Sequence, residues 1–297
     1  MPESAEVKLY TEFLHRKMAN NIIVQWDFVS GQYNNVNLPS GFSIVINSLP
    51  LMVESVQCKG KLIYMILRKE SQAYYILHSL RMTGHWSSQH SSQQETSDLT
   101  SQSESKTTAS SLSYTASSPL RWKITLHNGD ILCYYDPRCL GTILCTTDYT
   151  QYKTYIDSLG PDIMSEDLTL PVWNQILKKH PNQNVCVFLM DQHNISGVGN
   201  YIKAEALYYS GISPLRKIGS LSELESDRLY EGVRLIPRLA YNNRNWKKQE
   251  GGPYILPGPT GSSRSETFQL HIYGQSFATK TKTPDGRTTY WDPSKQK

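Results

Sequence analysis

No cysteine follows Cys186 in this chain of 297 residues, and the five present (Cys58, Cys133, Cys139, Cys145 and Cys186) include no C-x-x-C pair. An odd count without paired spacing argues against a disulfide framework and a zinc ribbon, and favours reduced thiols in an intracellular protein. Cys133, Cys139 and Cys145 are evenly spaced, but His and acidic partners at zinc-site spacing are missing. The first residues lack an apolar stretch of the signal-peptide type, so secretion is not expected. No apolar run has the length needed to cross a bilayer, so no membrane partner is expected. No internal repeat stands out, which sets aside solenoids and propellers. Charge of one sign is also scarce: the formal net charge is +4. A mildly basic balance is compatible with a nucleic-acid partner without demanding one.

What is present fits two domains of ordinary size, with a hydrophobic fraction of 38% to supply their cores. Val7, Tyr10, Phe13, Leu14 and Met18 recur at helical spacing. The runs "NIIVQWDF", "FSIVINSL", "KLIYMILR" and "AYYILHSL" then read as strands, at the rhythm of a β-sandwich or barrel. Residues 87–118 are a Ser/Thr/Gln tract with too little apolar content to offset the entropy of ordering, and read as a disordered loop insertion. "RWKITLHNGDILCYYD" is a hairpin about its Asn-Gly-Asp turn. From Tyr152 to Leu239 the pattern is helical, broken at "LGPD", "SGVGN" and "SGISPL". A Gly/Pro/Ser loop at 250–265 leads to a last hairpin, "FATKTKT", "PDG", "RTTYW". The expected class is therefore α+β: an N-terminal helix and β-sandwich domain over 1–150, then a helical domain over 151–297 ending in a β-hairpin within 268–297.

The opening "MPESAE" admits two readings. Proline and acidic residues suit the first turn of a helix. Removal of Met1 would instead leave Pro2 as a secondary amine, with Glu3 beside it and Glu6 one turn on. An amine acts as a nucleophile only when neutral. An α-amine of pKa about 7.8 is roughly a quarter neutral near pH 7.4, against about a thousandth for a lysine. Proline is more basic than an ordinary α-amine, so burial would have to lower its pKa against the pull of two carboxylates.

Several motifs stand in a telling order: "PE" with Glu6, "GKLIYM" with Lys61, "LRMTGHW", "DPRCLG", "LGPD", "SGVGNYIKAEAL" and the Arg287 hairpin. Together they resemble the formamidopyrimidine-DNA glycosylase/endonuclease VIII (Fpg/Nei) family of base-excision repair enzymes. The resemblance runs from Pro2 to Trp291 apart from the Ser-rich insertion. It implies a helix–two-turn–helix motif in the second domain and a bifunctional glycosylase/lyase. It implies Pro2 as the imine-forming nucleophile, Glu3 as the acid at the sugar ring oxygen, Glu6 orienting the amine, and Lys61 gripping phosphate. Asn200 and Arg287 would hold the backbone flanking the lesion. Met82, Arg138 and Leu140 would fill the gap left when the base is flipped out.

The chain departs from the family pattern in its C-terminal hairpin. Most members carry a four-cysteine zinc finger there, whereas "GQSFATKTKTPDGRTTYWDP" has no cysteine. It is similar to the zincless finger of the vertebrate, plant and giant-virus endonuclease-VIII-like enzymes, which implies no zinc and no other cofactor. Cys139 and Leu140 replace the family's Arg-Phe pair, which points to oxidised pyrimidines as preferred lesions. Residues 249–266 are candidates to cover the flipped base. The expected partner is damaged duplex DNA, with single-stranded DNA as a second candidate, and the expected state is a monomer. Taken one by one, the residues keep their ordinary readings: Lys61 as a solvated strand-edge lysine, Met82 and Leu140 as core, Arg287 as a solvated turn residue. Two other functions remain open at this point: a catalytically silent DNA-binding module with its amine blocked, and a tautomerase using an N-terminal proline as base.

Overall fold

A computed structural model describes residues 2–90, 119–243 and 269–297. They fall into two compact units. The first holds 10–57 and 63–149, and the second holds 2–9, 58–62 and 150 onward. Residues 91–118, most of the Ser-rich insertion, and residues 249–266, the candidate cover, lie outside the described residues.

The first unit starts within helix α1 (Ser4–Met18). Val7, Tyr10, Phe13, Leu14 and Met18 are all buried, as their spacing predicts. Strand β1 (Ile22–Phe28) is followed by helix α2 (Phe42–Ser48), then β2 (Leu51–Lys59), β3 (Leu62–Lys69), β4 (Gln72–Ser79) and β5 (His85–His90). Strands β6 (Leu120–Leu126), β7 (Asp130–Tyr135) and β8 (Thr142–Thr146) complete the domain. The hydrogen-bonded order is β5-β7-β6-β1-β2-β3-β4-β8. β1 pairs with β6 from Ile23 to Phe28 but meets β2 only at Ile22↔Met52 and Ile23↔Leu51. That short seam divides the strands into two halves that fold face to face. His78 of β4 contacts Trp86, Trp122 and Tyr134 of β5, β6 and β7, and Trp122 stacks on Tyr134 with ring centres 4.0 Å apart. His78 is held neutral. Burial lowers it to about 4, its Nδ1 lies 2.9 Å from the Thr142 carbonyl, and the Trp86 indole N–H donates to its Nε2.

Two strand expectations need correction. "FSIVINSL" is helix α2, not a strand, despite its β-branched residues. Phe42 and Val45, three apart, are buried on one face, and Phe42 packs edge-on against Trp26 and Phe28. Tertiary packing of that face overrides local β preference. Leu49, before Pro50, is extended and ends the helix. Residues 87–90 also belong to β5, paired in register with β7, rather than to the insertion. Cross-strand partners supply the order that their own composition lacks.

The second unit is helical: α3 (Tyr149–Ser158), whose first residue belongs to the first unit, α4 (Leu170–Leu177), α5 (Val185–Met190), α6 (Asn200–Ser210) and α7 (Glu223–Asn242). α7 opens on a capping box of Ser222 and Glu225. A core of Trp173, Phe188, Leu207, Leu229 and Val233 joins these helices. α6 is buried without interruption from Tyr201 to Leu207. Strands β9 (Thr279–Lys282) and β10 (Thr288–Trp291) form the C-terminal hairpin. The protein is thus α+β: a β-sandwich domain with its helix, a helical domain, and a terminal hairpin.

Candidate functional site

Glu3 lies in the second unit, immediately before α1, and is 1% exposed. Its Oε1 accepts the N–H of Tyr201 at 2.9 Å and its Oε2 that of Ile202 at 3.1 Å. These are first-turn amides of α6, which have no partner within their own helix and favour a negative charge. Gly199, the N-cap of α6, contributes no side-chain cap. A Cβ on it would sit 2.1 Å from Glu3 Cδ, so glycine is required here by the carboxyl group rather than by the backbone. Gly197 is different: its φ of +112° is a conformation that favours glycine. Burial pushes the Glu3 carboxyl up to about 7, although Lys61 and the two amides pull it down. It can therefore hold and release a proton near neutrality.

Pro2 precedes this carboxyl and is buried. Glu6 accepts the Glu3 N–H at 2.7 Å and lies 3.3 Å from the Tyr201 hydroxyl, which donates to it. Its carboxylate thus reaches back across the first turn of α1, fixing the backbone that carries Glu3. The Tyr201 hydroxyl is pushed well above its ordinary pKa by burial and by Glu6 and Glu3, and stays protonated. Lys61 lies in the turn before β3 and donates to the Val198 carbonyl at 2.7 Å. The preceding Gly60, at φ +58°, donates its N–H to Asp162 at 2.7 Å. Pro2, Glu3, Lys61 and the α6 turn are therefore brought together within one unit.

The hairpin meets the same helix. Asn200 donates its side-chain amide to the Thr288 carbonyl at 3.0 Å. Lys203, 0% exposed, pairs with Asp285 at 2.5 Å. Glu205 accepts the N–H groups of His271, Ile272 and Tyr273 at 3.0, 2.9 and 2.8 Å. Arg287 is exposed beside the turn.

Met82, Arg138 and Leu140 belong to the first unit, where Asp136 gathers them. This fully buried carboxylate accepts the N–H groups of Arg138, Leu140 and Gly141 at 3.3, 2.7 and 2.6 Å, and the hydroxyl of Thr83, next to Met82. Cys139 takes φ +54° at the tip. Arg138 is exposed and Leu140 is 39% exposed, so the loop presents both outward.

Comparison with known proteins gives this arrangement a context. Residues 1–143 match the family model described as the formamidopyrimidine-DNA glycosylase N-terminal domain, and residues 159–244 match that of the formamidopyrimidine-DNA glycosylase H2TH domain. The chain belongs to the Fpg/Nei family. It is similar to the formamidopyrimidine-DNA glycosylase of Xanthomonas campestris pv. campestris, 35% identical over 154 residues, which are 51% of this chain and 54% of that protein. The corresponding enzyme of Marinobacter nauticus is 38% identical over 112 residues, 38% of this chain and 41% of that one. The chain thus spans about half the length of the curated relatives it matches. Its fold is shared, across the whole of both chains, with Lactococcus lactis Fpg bound to DNA containing N7-benzyl-Fapy-dG (TM-score 0.73, 18% identity). It is likewise shared with MutM bound to DNA containing carbocyclic 8-oxo-G (TM-score 0.74, 20% identity).

The hairpin has no cysteine, and among the described residues no three His, Cys, Asp or Glu side chains are grouped to hold a metal. Cys186, the cysteine nearest the hairpin, is a buried thiol pushed up to about 11 by burial, 4.0 Å from the Thr289 hydroxyl. No described helix is long and apolar enough to cross a membrane. Sequence reasoning did not single out Tyr201, Lys203, Glu205, Asp136 or Asp285. For the α6 residues a signal was available: charged side chains on a helix flanked by apolar runs must find partners inside.

Proposed function

We propose that this protein is a bifunctional DNA glycosylase and abasic-site lyase of base-excision repair, acting as a monomer on damaged duplex DNA, with single-stranded DNA as a second substrate form. The observation that carries the reading is Glu3: a buried carboxyl with a pKa of about 7, adjacent to Pro2 and seated on the α6 N-terminus. With Met1 removed, the Pro2 nitrogen attacks C1′ of the flipped nucleotide and the base departs. The Glu3 carboxylic acid gives its proton to the ring oxygen as the sugar opens, leaving an iminium between Pro2 and C1′. Loss of a C2′ proton then expels the 3′ phosphate, and a second elimination expels the 5′ phosphate. A carboxyl poised near the working pH suits both giving and taking these protons.

Glu6 fixes the Glu3 backbone, and Lys61 supplies a fixed cation for phosphate. Asn200 and Arg287 hold the flanking backbone, while Met82, Arg138 and Leu140 occupy the vacated space. No zinc takes part. Preference for oxidised pyrimidines is supported by the cysteine-free hairpin and by Cys139 and Leu140 in the "DPRCLG" loop. The setting is wherever the cell or virus keeps DNA under repair.

Borohydride reduction of the protein mixed with abasic-site or thymine-glycol duplex, with the cross-linked residue found by mass spectrometry, tests this. The expected cross-link is at Pro2, lost in Pro2→Gly and when Met1 is retained. A cross-link at Lys61 would keep the lyase and replace the nucleophile. Intact DNA binding with no cross-link would indicate a silent binding module.

A further inference from the structure

A two-stranded hairpin of four residue pairs is marginal in water on its own. Here it carries a buried ion pair. Lys203 and Asp285 have side chains 0% and 3% exposed, and their charged atoms are 2.5 Å apart. The pair is wired to the turn. Asp285 also bonds the Thr283 hydroxyl, which lies 3.0 Å from the Arg287 carbonyl and 2.8 Å from the Thr289 hydroxyl. The Thr283 N–H donates to the same Arg287 carbonyl at 2.9 Å. Thr283 and Thr289 are 3% and 0% exposed. A path of hydrogen bonds therefore runs from α6 through Asp285 and Thr283 to the backbone of Arg287.

A buried ion pair contributes little net stability compared with apolar residues of the same volume, but it is directional, and losing one partner strands a charge. We infer that the Lys203–Asp285 pair is the metal-free anchor that sets the position of Arg287, making Lys203 and Asp285 positioning residues for the DNA backbone. The inference rests on the DNA reading above for the role of Arg287, though not for the anchor itself. The geometry favours positioning over bulk stability because the pair grips the turn beside Arg287, whereas the base of the hairpin is held separately. There, Glu205 binds the amides of 271–273, and Tyr290 packs on Tyr273 with ring centres 5.1 Å apart.

The test uses the full chain and a duplex containing a tetrahydrofuran abasic analogue. Lys203→Met should weaken binding about tenfold, as expected when a buried charge loses its partner. If the pair acts through Arg287, Lys203→Met should cost less than about twofold further in an Arg287→Ala background. An equal loss in both backgrounds would overturn the inference. The double variant Lys203→Met/Asp285→Leu removes both charges and should fold as stably as the parent, yet bind DNA about fivefold more weakly. Parental affinity in that variant would also overturn it. Alkylation of Cys186, resolved by mass spectrometry, reports hairpin docking without DNA, since this thiol lies against Thr289. It should accelerate about tenfold in Lys203→Met, in step with local opening. An unchanged rate would exclude the anchor. If the parent fails to bind any damaged duplex while Lys203→Met still exposes Cys186, the anchor stands and the DNA reading falls.

Discussion

The two units differ in how many charged groups they bury and in where those groups gather. In the first, the core is aromatic and its histidine is neutral: His78 sits among Trp86, Trp122 and Tyr134 with both ring nitrogens engaged by neutral partners. Of its buried charged side chains, Asp136 is spent on backbone amides of one loop, Asp130 pairs with the partly exposed Lys17, and Arg121 donates to the Asp136 carbonyl and the Ser30 hydroxyl. In the second, charges are packed in quantity. Glu3, Glu6, Lys203 and Glu205 are all buried, and all bind to α6 or lie on it. Such burial costs several kcal/mol per charge unless partners are exact in number and direction. α6 therefore carries a dense set of buried charges, each with its own partner, whereas the β-sandwich holds an exposed loop on one buried carboxylate.

The comparison can be broken most severely at Glu3. Glu3→Gln keeps the shape but loses the exchangeable proton, so single-turnover strand cleavage should fall by about 100-fold or more, as for loss of a general acid. Circular dichroism should show an unchanged fold. Next in size, Asp136→Ala leaves buried amides without an acceptor in the first unit and should cost about 3 kcal/mol in urea unfolding. Gly199→Ala forces a methyl group into the Glu3 carboxyl and should cost about 2 kcal/mol, with loss of borohydride trapping.

The pH dependence sharpens the contrast. Glu3 is raised from 4.5 to about 7 in the folded protein. Between these values the folded state holds a proton that the unfolded chain has released. Its contribution to stability is complete below about 4.5 and is lost as pH rises through about 7. Thermal unfolding from pH 4.5 to 8 should show this decline, flattened in Glu3→Gln. The smallest effect is expected at the exposed loop: Leu140→Ala should change stability by less than about 0.5 kcal/mol while slowing excision of a paired lesion more than that of a mispaired one.

Much of this was legible in the sequence, for reasons that differ by region. The helical spacing of Val7 to Met18 and the Asn-Gly-Asp hairpin are local signals, and both appear as read. α2 was illegible because its residues prefer strands, and only the packing of Phe42 and Val45 makes them helical. β5 was hidden because residues 87–90 look like the polar tract they precede, and its partner β7 lies some forty residues later. Pro2, Glu3, Lys61 and the α6 turn could be named from motif order, and they meet in one unit. What motifs could not supply was the partner of each charge. Lys203 and Asp285 are 82 positions apart, and nothing in either neighbourhood announces the other.

The proposed chemistry turns on one carboxyl group held protonated into the neutral range by burial, against the pull of Lys61 and of the helix it caps. Carbon-13 labelling of glutamate carboxyls, with Glu3→Gln to assign the resonance, would follow it directly by NMR titration. A Glu3 midpoint close to 7 is the predicted result. A midpoint in the ordinary glutamate range, near 4.5, would contradict the account, since Glu3 would then be a fixed anion at the α6 N-terminus with no proton to give.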